Sequence, residues 1–142
     1  MVRLRSAAVW AGALFLAVAF VAVGLSKLAG TSAMRWSERF GQWGYTANAV
    51  YVVGVLEIVG GLGMLMPRWR RAASLILVVL MAGALCTHLV HAEFPRVIPP
   101  LVLGGAAFLM YWSQRCDQSS RENVSPRADR PSARRETRRF GG

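Results

Sequence analysis

Four apolar runs organise the chain. Ala7 to Leu25 carries no charge, and Ala47 to Met66 carries one, Glu57. In Ala72 to Val90 the ionisable groups are His88 and the thiol of Cys86, and Val97 to Trp112 again carries no charge. About 20 residues of helix cross the hydrocarbon of a bilayer. Lipid offers no partner to an unpaired backbone group, so each crossing segment must be helical. The pattern predicts transmembrane helices over about 7–27, 47–66, 72–90 and 97–112. The last run is the shortest, but Pro99 and Pro100 fit a first helical turn, where no N–H is needed. Tyr111 and Trp112 mark its other end as interfacial. The connections at Pro67 to Arg71 and His91 to Arg96 are short and force antiparallel neighbours. The predicted class is an all-α integral membrane protein, an antiparallel four-transmembrane-helix bundle.

The connection between the first two runs is longer. Within it Ala33, Trp36, Phe40 and Trp43 recur at helical spacing, with Arg35, Glu38, Arg39 and Gln42 opposite them. This predicts a short amphipathic helix over about 32–43, lying on the outer surface or folding over the bundle mouth as a lid. Arg3 and Arg5 ahead of the first run resemble the start of a signal peptide. The run is long for one and lacks a clean cleavage site, so it reads as a retained helix, with cleavage the alternative.

Composition agrees with a membrane. Of 142 residues 54% are hydrophobic and 17% charged, and mean hydropathy is +0.37. A soluble domain of this size carries about a quarter charged residues. The net charge of +10 comes from 16 arginines and Lys27 against 7 acids. Eight of those arginines lie in residues 113–142 with 4 acids and several serines and prolines. That segment is expected to be a disordered basic tail appended to a domain over 1–112, because it has little apolar surface to bury. With the N-terminus inside, thirteen basic residues fall on the inner side and four on the outer. The positive-inside rule then places both termini in the cytoplasm. No aromatic residues interleave the tail arginines, so specific nucleic-acid binding is not expected; the tail is a solvated segment or is drawn to anionic lipid. Two cysteines, predicted on opposite sides of the bilayer, give neither a disulfide framework nor a multi-cysteine metal site.

Residues three and four apart line the predicted bundle interior. These sets are Ala13, Ala17, Phe20, Gly24 and Lys27; Val50, Gly54, Glu57, Gly61 and Met64; Leu77, Met81, Ala84, His88 and His91; and Pro100, Gly104, Ala107 and Tyr111. Gly24, Gly54, Gly61 and Gly104 allow close backbone approach. Glu57 falls near the middle of its run, where a charge costs roughly 2.5–3.5 kcal/mol on insertion scales. It is either a neutral carboxyl bonded to a neighbouring helix or an acid that handles protons or a ligand. Lys27 reads first as a snorkelling anchor; a direct pair with Glu57 requires the first helix to slide deeper or the lysine to point inward, since its stem alone cannot cover half the hydrocarbon. With His88 it can line a vestibule above the acid. His88, His91 and Glu93 form an H-x-x-H-x-E string that is a weak metal candidate without a defined fourth ligand; no metal site is assigned.

The segments Gly24-Leu25-Ser26-Lys27-Leu28-Ala29-Gly30, Trp43-Gly44-Tyr45, Gly54 to Gly61 and Gly83 to Leu89, in this order and spacing, resemble the DoxX-like family of small bacterial membrane proteins over about residues 8–112. The resemblance implies a four-helix inner-membrane protein. Its wider family includes a membrane subunit of an archaeal thiosulfate:quinone oxidoreductase and a mycobacterial protein that joins a superoxide dismutase and a sulfurtransferase. Distant animal relatives are receptor-assembly chaperones. The family supplies no agreed catalytic set, and Lys27, Glu57 and His88 carry over as bundle-lining positions. The expected role is a noncatalytic membrane subunit or scaffold for redox, oxidative-stress or detoxification partners, with no cofactor of its own and with a homo-oligomer among the expected assemblies. The alternative is a quinone-linked oxidoreductase subunit using Glu57 and His88 in a bundle cavity. A small transporter or proton pathway ranks third, since the broken helices of transporters are absent.

Overall fold

The computed structural model describes residues 2–46 and 48–124, with side chains described for residues 6–46 and 48–116. The described residues form five helices, α1 (Val2–Leu28), α2 (Gly30–Gln42), α3 (Ala49–Gly63), α4 (Arg70–Val90) and α5 (Ile98–Val124), with a 3-10 turn at Phe94–Arg96 and no strand. Three helical segments are long and apolar enough to cross a membrane: Ser6–Leu28, Arg70–Val90 and Phe94–Cys116.

Two element boundaries differ from the hydropathy pattern. α3 has 15 residues, fewer than the span 47–66 predicts, and covers about 22 Å against a hydrocarbon core of about 30 Å. Gly60, Gly61 and Gly63 weaken its last turn. Pro67 disfavours helical geometry at Met66 and cannot donate a backbone hydrogen bond, so Met64 to Trp69 form successive turns instead. α5 runs on to Val124, beyond the expected end at residue 112. Residues 113–123 contain neither glycine nor proline, and their Gln, Arg and Glu favour helix; the prolines of the tail begin at Pro126. The part of the expected disordered tail from residue 125 onward lies outside the described residues.

Packing follows the small residues. α1 packs most extensively on α3, and α4 on α5. A Cβ added at Gly24 would meet the Gly54 carbonyl, and one at Gly61 would meet the Ala17 carbonyl, so α1 and α3 run antiparallel with backbones in contact. Gly60 and Gly63 face Leu77 and Ala73 of α4, while Gly104 of α5 faces Met81. The core is formed by residues such as Leu16, Phe20, Met64, Leu77, Met81 and Met110. Outward faces are apolar too: Phe15, Val18, Val59, Val79 and Leu109 are all exposed. A bundle with apolar residues both inside and outside suits lipid and not water.

α2 is different in kind. It is amphipathic and buries Phe40, which touches the rings of Trp36, Trp43 and Tyr45. Gly30 (φ 69°) makes the sharp turn out of α1. Gly44 (φ 80°) ends α2 in a Schellman motif, with Tyr45 N–H donating to the Phe40 carbonyl and Gly44 N–H to that of Gly41.

Candidate functional site

α1 and α3 bring Lys27 and Glu57 together. Lys27 Nζ lies 2.8 Å from Glu57 Oε1 and 2.6 Å from Oε2. Lys27 is 5% exposed and Glu57 1%, so the pair is fully withdrawn from the surface. This corrects the reading of Lys27 as a snorkelling anchor. Two physical causes account for the contact. The glycine-to-glycine approach of α1 and α3 sets Gly24 level with Glu57: a Cβ on Gly24 would lie 3.2 Å from the Glu57 Cβ. Lys27 is then three residues further on, about 4.5 Å along the axis. Helical side chains lean toward the N-terminus of their own helix, and in an antiparallel pair they lean toward each other. The lysine stem therefore has about one turn to cover, not half the membrane.

α2 closes over this pair. The Trp36 ring lies 4.8 Å from Lys27 Nζ and takes up the side of the ammonium that the carboxylate leaves open. Its ring also carries the Arg39 guanidinium at 5.5 Å.

His88, the third bundle-lining position, is buried near the end of α4. Its Nδ1 lies 2.9 Å from Glu93 Oε2. The α4 terminus creates this contact. Glu93 N–H donates to the His88 carbonyl and Ala92 N–H to that of Leu89, a Schellman closure that folds Glu93 back over His88. It requires a left-handed Ala92 (φ 54°), a conformation that suits glycine. Ala92→Gly is expected to raise stability by about 1 kcal/mol, read as a higher melting temperature in detergent, with the His88–Glu93 contact kept. A lower melting temperature would contradict that account of the turn.

The H-x-x-H-x-E string is only partly assembled. His91 is exposed, its Nδ1–H donates to the Thr87 carbonyl 2.9 Å away, and its ring packs on Trp43. Among the described residues no group of three or more His, Cys, Asp or Glu side chains is placed to hold a metal ion.

Lys27, Glu57 and His88 all face one cavity of about 580 Å³. Its walls are mainly apolar, with Val23, Val53, Leu80, Met81 and Leu103 on the bundle side and the aromatic rings of Trp36, Phe40 and Trp43 under α2. Arg39 and Arg96 stand at its edge, and Arg96 lies 3.6 Å from Glu93. Tyr45 also lines it. Thr87 Oγ1 donates to the Gly83 carbonyl, so the Tyr45 hydroxyl, 2.9 Å away, donates to Thr87 and ties the end of α2 to α4. Residue spacing does not single out Tyr45, Thr87, Arg39 or Arg96 as site residues. Tyr45 and Thr87 do fall within the Trp43-Gly44-Tyr45 and Gly83 to Leu89 segments that carry the family resemblance. Gly24 and Gly54 lie at the α1–α3 contact, Gly61 further along that contact, and Gly104 on α5 against Met81.

A family model described as the DoxX-like family matches residues 11–110. The chain belongs to the DoxX-like family. No curated protein and no solved structure matches it. The matched segment of this DoxX-like chain includes Lys27, Glu57, His88 and the whole of α2, so the cavity lies within the part that defines the family. The family match and the three apolar segments make it a membrane protein.

Proposed function

We propose that this protein is the ligand-binding membrane subunit of a redox assembly, with its cavity shaped for the headgroup of a quinone-class amphiphile. The observation that carries this reading is the meeting of Lys27, Glu57 and His88 at one aromatic-walled cavity in an otherwise apolar bundle. The volume suits a small ring system with part of its apolar chain. The donor and acceptor set also fits. Two oxygens of Glu57 accept from Lys27, and a carboxylate has further acceptor capacity to receive a hydroxyl proton. Nδ1 of His88 is held by Glu93, which leaves Nε2 to exchange a proton at the cavity. Trp36, Phe40 and Trp43 give the cavity an aromatic wall that suits a flat ring. A bound quinone would supply the two-electron chemistry, and partner proteins would carry the electrons onward. Scaffold and binding roles are then one role, since the ligand reaches its partners through this chain.

In the same reading α3 crosses the membrane with α1, α4 and α5. The turns from Met64 to Met66 extend its reach. The excess of arginine on the inner side supports both termini in the cytoplasm of a bacterial inner membrane.

The test is titration of the purified protein with a short-chain quinone in detergent, read by quenching of tryptophan fluorescence. Saturable quenching is expected, weakened roughly tenfold in His88→Gln, the worth of one hydrogen bond to a buried group. Quenching that rises linearly without saturation, or that is identical in His88→Gln of unchanged melting temperature, would overturn the reading.

A further inference from the structure

The opposite end of the bundle carries a second unexplained arrangement, independent of the cavity. Arg68, Arg70 and Arg71 cluster where the α3–α4 turn enters α4. The positive end of the helix dipole already lies there, and the cations of Arg68 and Arg70 beside it repel it. No side chain caps this terminus and no acid lies in its first turn. Arg70 is 6% exposed. Its Nε donates to the Met64 carbonyl at 2.7 Å and its guanidinium lies 4.3 Å from the Trp10 ring centroid, yet its Nη2 is buried without a hydrogen-bond partner. Among the described residues neither Arg68 nor Arg70 forms an ion pair. Arg70 is turned inward, so the exposed Arg68 presents the charge of this turn at the surface, where an anion would offset it.

An apolar groove of about 400 Å³ begins beside this cluster. Met66, Trp69 and Ala72 line its near end, and Val59, Leu56 and Ile76 continue it between α3 and α4. It extends about 10 Å along α4, from Trp69 to Ile76, at 1.5 Å per residue. Trp69 and Trp10 are both half exposed, as aromatic residues at headgroup depth are. Charge and apolar groove together select a molecule with an anionic head and a hydrocarbon tail.

We propose that the α3–α4 junction is a binding site for an anionic phospholipid, with its phosphate at Arg68 and the first turn of α4 and one acyl chain in the groove. The lipid phosphate neutralises the arginine cluster and opposes the helix dipole, and its chain fills a crevice that α3 and α4 leave open.

The experiment is native mass spectrometry of the full-length protein with equimolar phosphatidylglycerol and phosphatidylcholine of the same chains. The wild type is expected to retain one phosphatidylglycerol in preference to phosphatidylcholine. Arg68→Gln, at an exposed position, lowers that preference about fivefold, the usual effect of one basic residue near an anionic headgroup. Arg68→Lys keeps it. Ala72→Trp, which fills the groove, removes the retained lipid of either headgroup; Ile76→Trp serves the same purpose if that variant does not fold. Equal retention of the two lipids by the wild type, no effect of Arg68→Gln, or displacement of the lipid by inorganic phosphate while Ala72→Trp changes nothing would overturn the proposal.

Discussion

Lys27→Met is expected to destabilise the protein by about 3–5 kcal/mol, while the double variant Lys27→Met/Glu57→Leu regains most of the loss. The single change strands a carboxylate that is 1% exposed and has no other cation within bonding distance among the described residues. Its two contacts with Lys27, at 2.8 and 2.6 Å, both vanish. The double change removes both charges and leaves apolar side chains of similar size, which in buried pairs is often neutral or stabilising. Glu57→Leu alone is expected to cost less than Lys27→Met, because a lysine near the end of α1 can swing its ammonium toward water. The measurement is denaturation in detergent for the four members of the cycle, with a coupling term of at least about 2 kcal/mol between the two sites. Additive single effects would mean that the pair holds nothing together. The same double variant separates roles. If the pair were only a clamp, quinone binding would survive with the fold; under the proposed function it is lost from a stable protein.

The hydropathy pattern reveals which segments are helices and which faces they bury. Val50, Gly54, Glu57, Gly61 and Met64 share a face by spacing, and all five are buried. Ala13, Ala17 and Phe20 do the same on α1. Such periodicity reports rotation about a helix axis. It does not report how far one helix slides along another, and that is where it misplaces Lys27. The distance from Lys27 to Glu57 depends on the level at which Gly24 meets Gly54, a contact between two backbones with no hydrophobic signature. The shorter α3 does not add to the error: its midpoint falls near residue 56, as does that of the span 47–66, and Glu57 is central in both. Counting charges groups Arg70 with solvated loop arginines for a similar reason. Charge marks a position as polar, but the turn from Met64 to Trp69 directs the side chain inward, and the Met64 carbonyl that receives its Nε is invisible to a composition count. Glu93 reaches His88 through the left-handed turn at Ala92, a conformation no alanine advertises.

Gly24→Ala is expected to be the most damaging single methyl addition in the bundle. A Cβ there would stand 2.6 Å from the Gly54 carbonyl oxygen, 2.7 Å from Ile58 Cγ1 and 3.2 Å from the Glu57 Cβ. The first of these is backbone and cannot turn aside, so α1 and α3 must separate. Separation costs about 1–3 kcal/mol as overpacking. It also lengthens the Lys27–Glu57 contact, so the loss exceeds that of a clash alone. Gly54→Ala should cost less: its nearest contacts, at 3.0 and 3.1 Å, include the mobile Leu28 side chain, although the Gly24 carbonyl lies at 3.1 Å as well. Gly105→Ala, with nothing within 4 Å, should be neutral or stabilising by about 0.5–1 kcal/mol, because alanine loses less backbone entropy in a helix. The measurement is the order of melting temperatures, Gly24→Ala lowest, then Gly54→Ala, then wild type at or just below Gly105→Ala. A Gly24→Ala variant as stable as the wild type would show that the two backbones do not touch, and the buried ion pair would then need another cause. The link to function runs through the same methyl group. In Gly24→Ala/Lys27→Met/Glu57→Leu the penalty of Gly24→Ala should shrink, since the part that acts through the ion pair has already gone, and only the steric part of the cost remains.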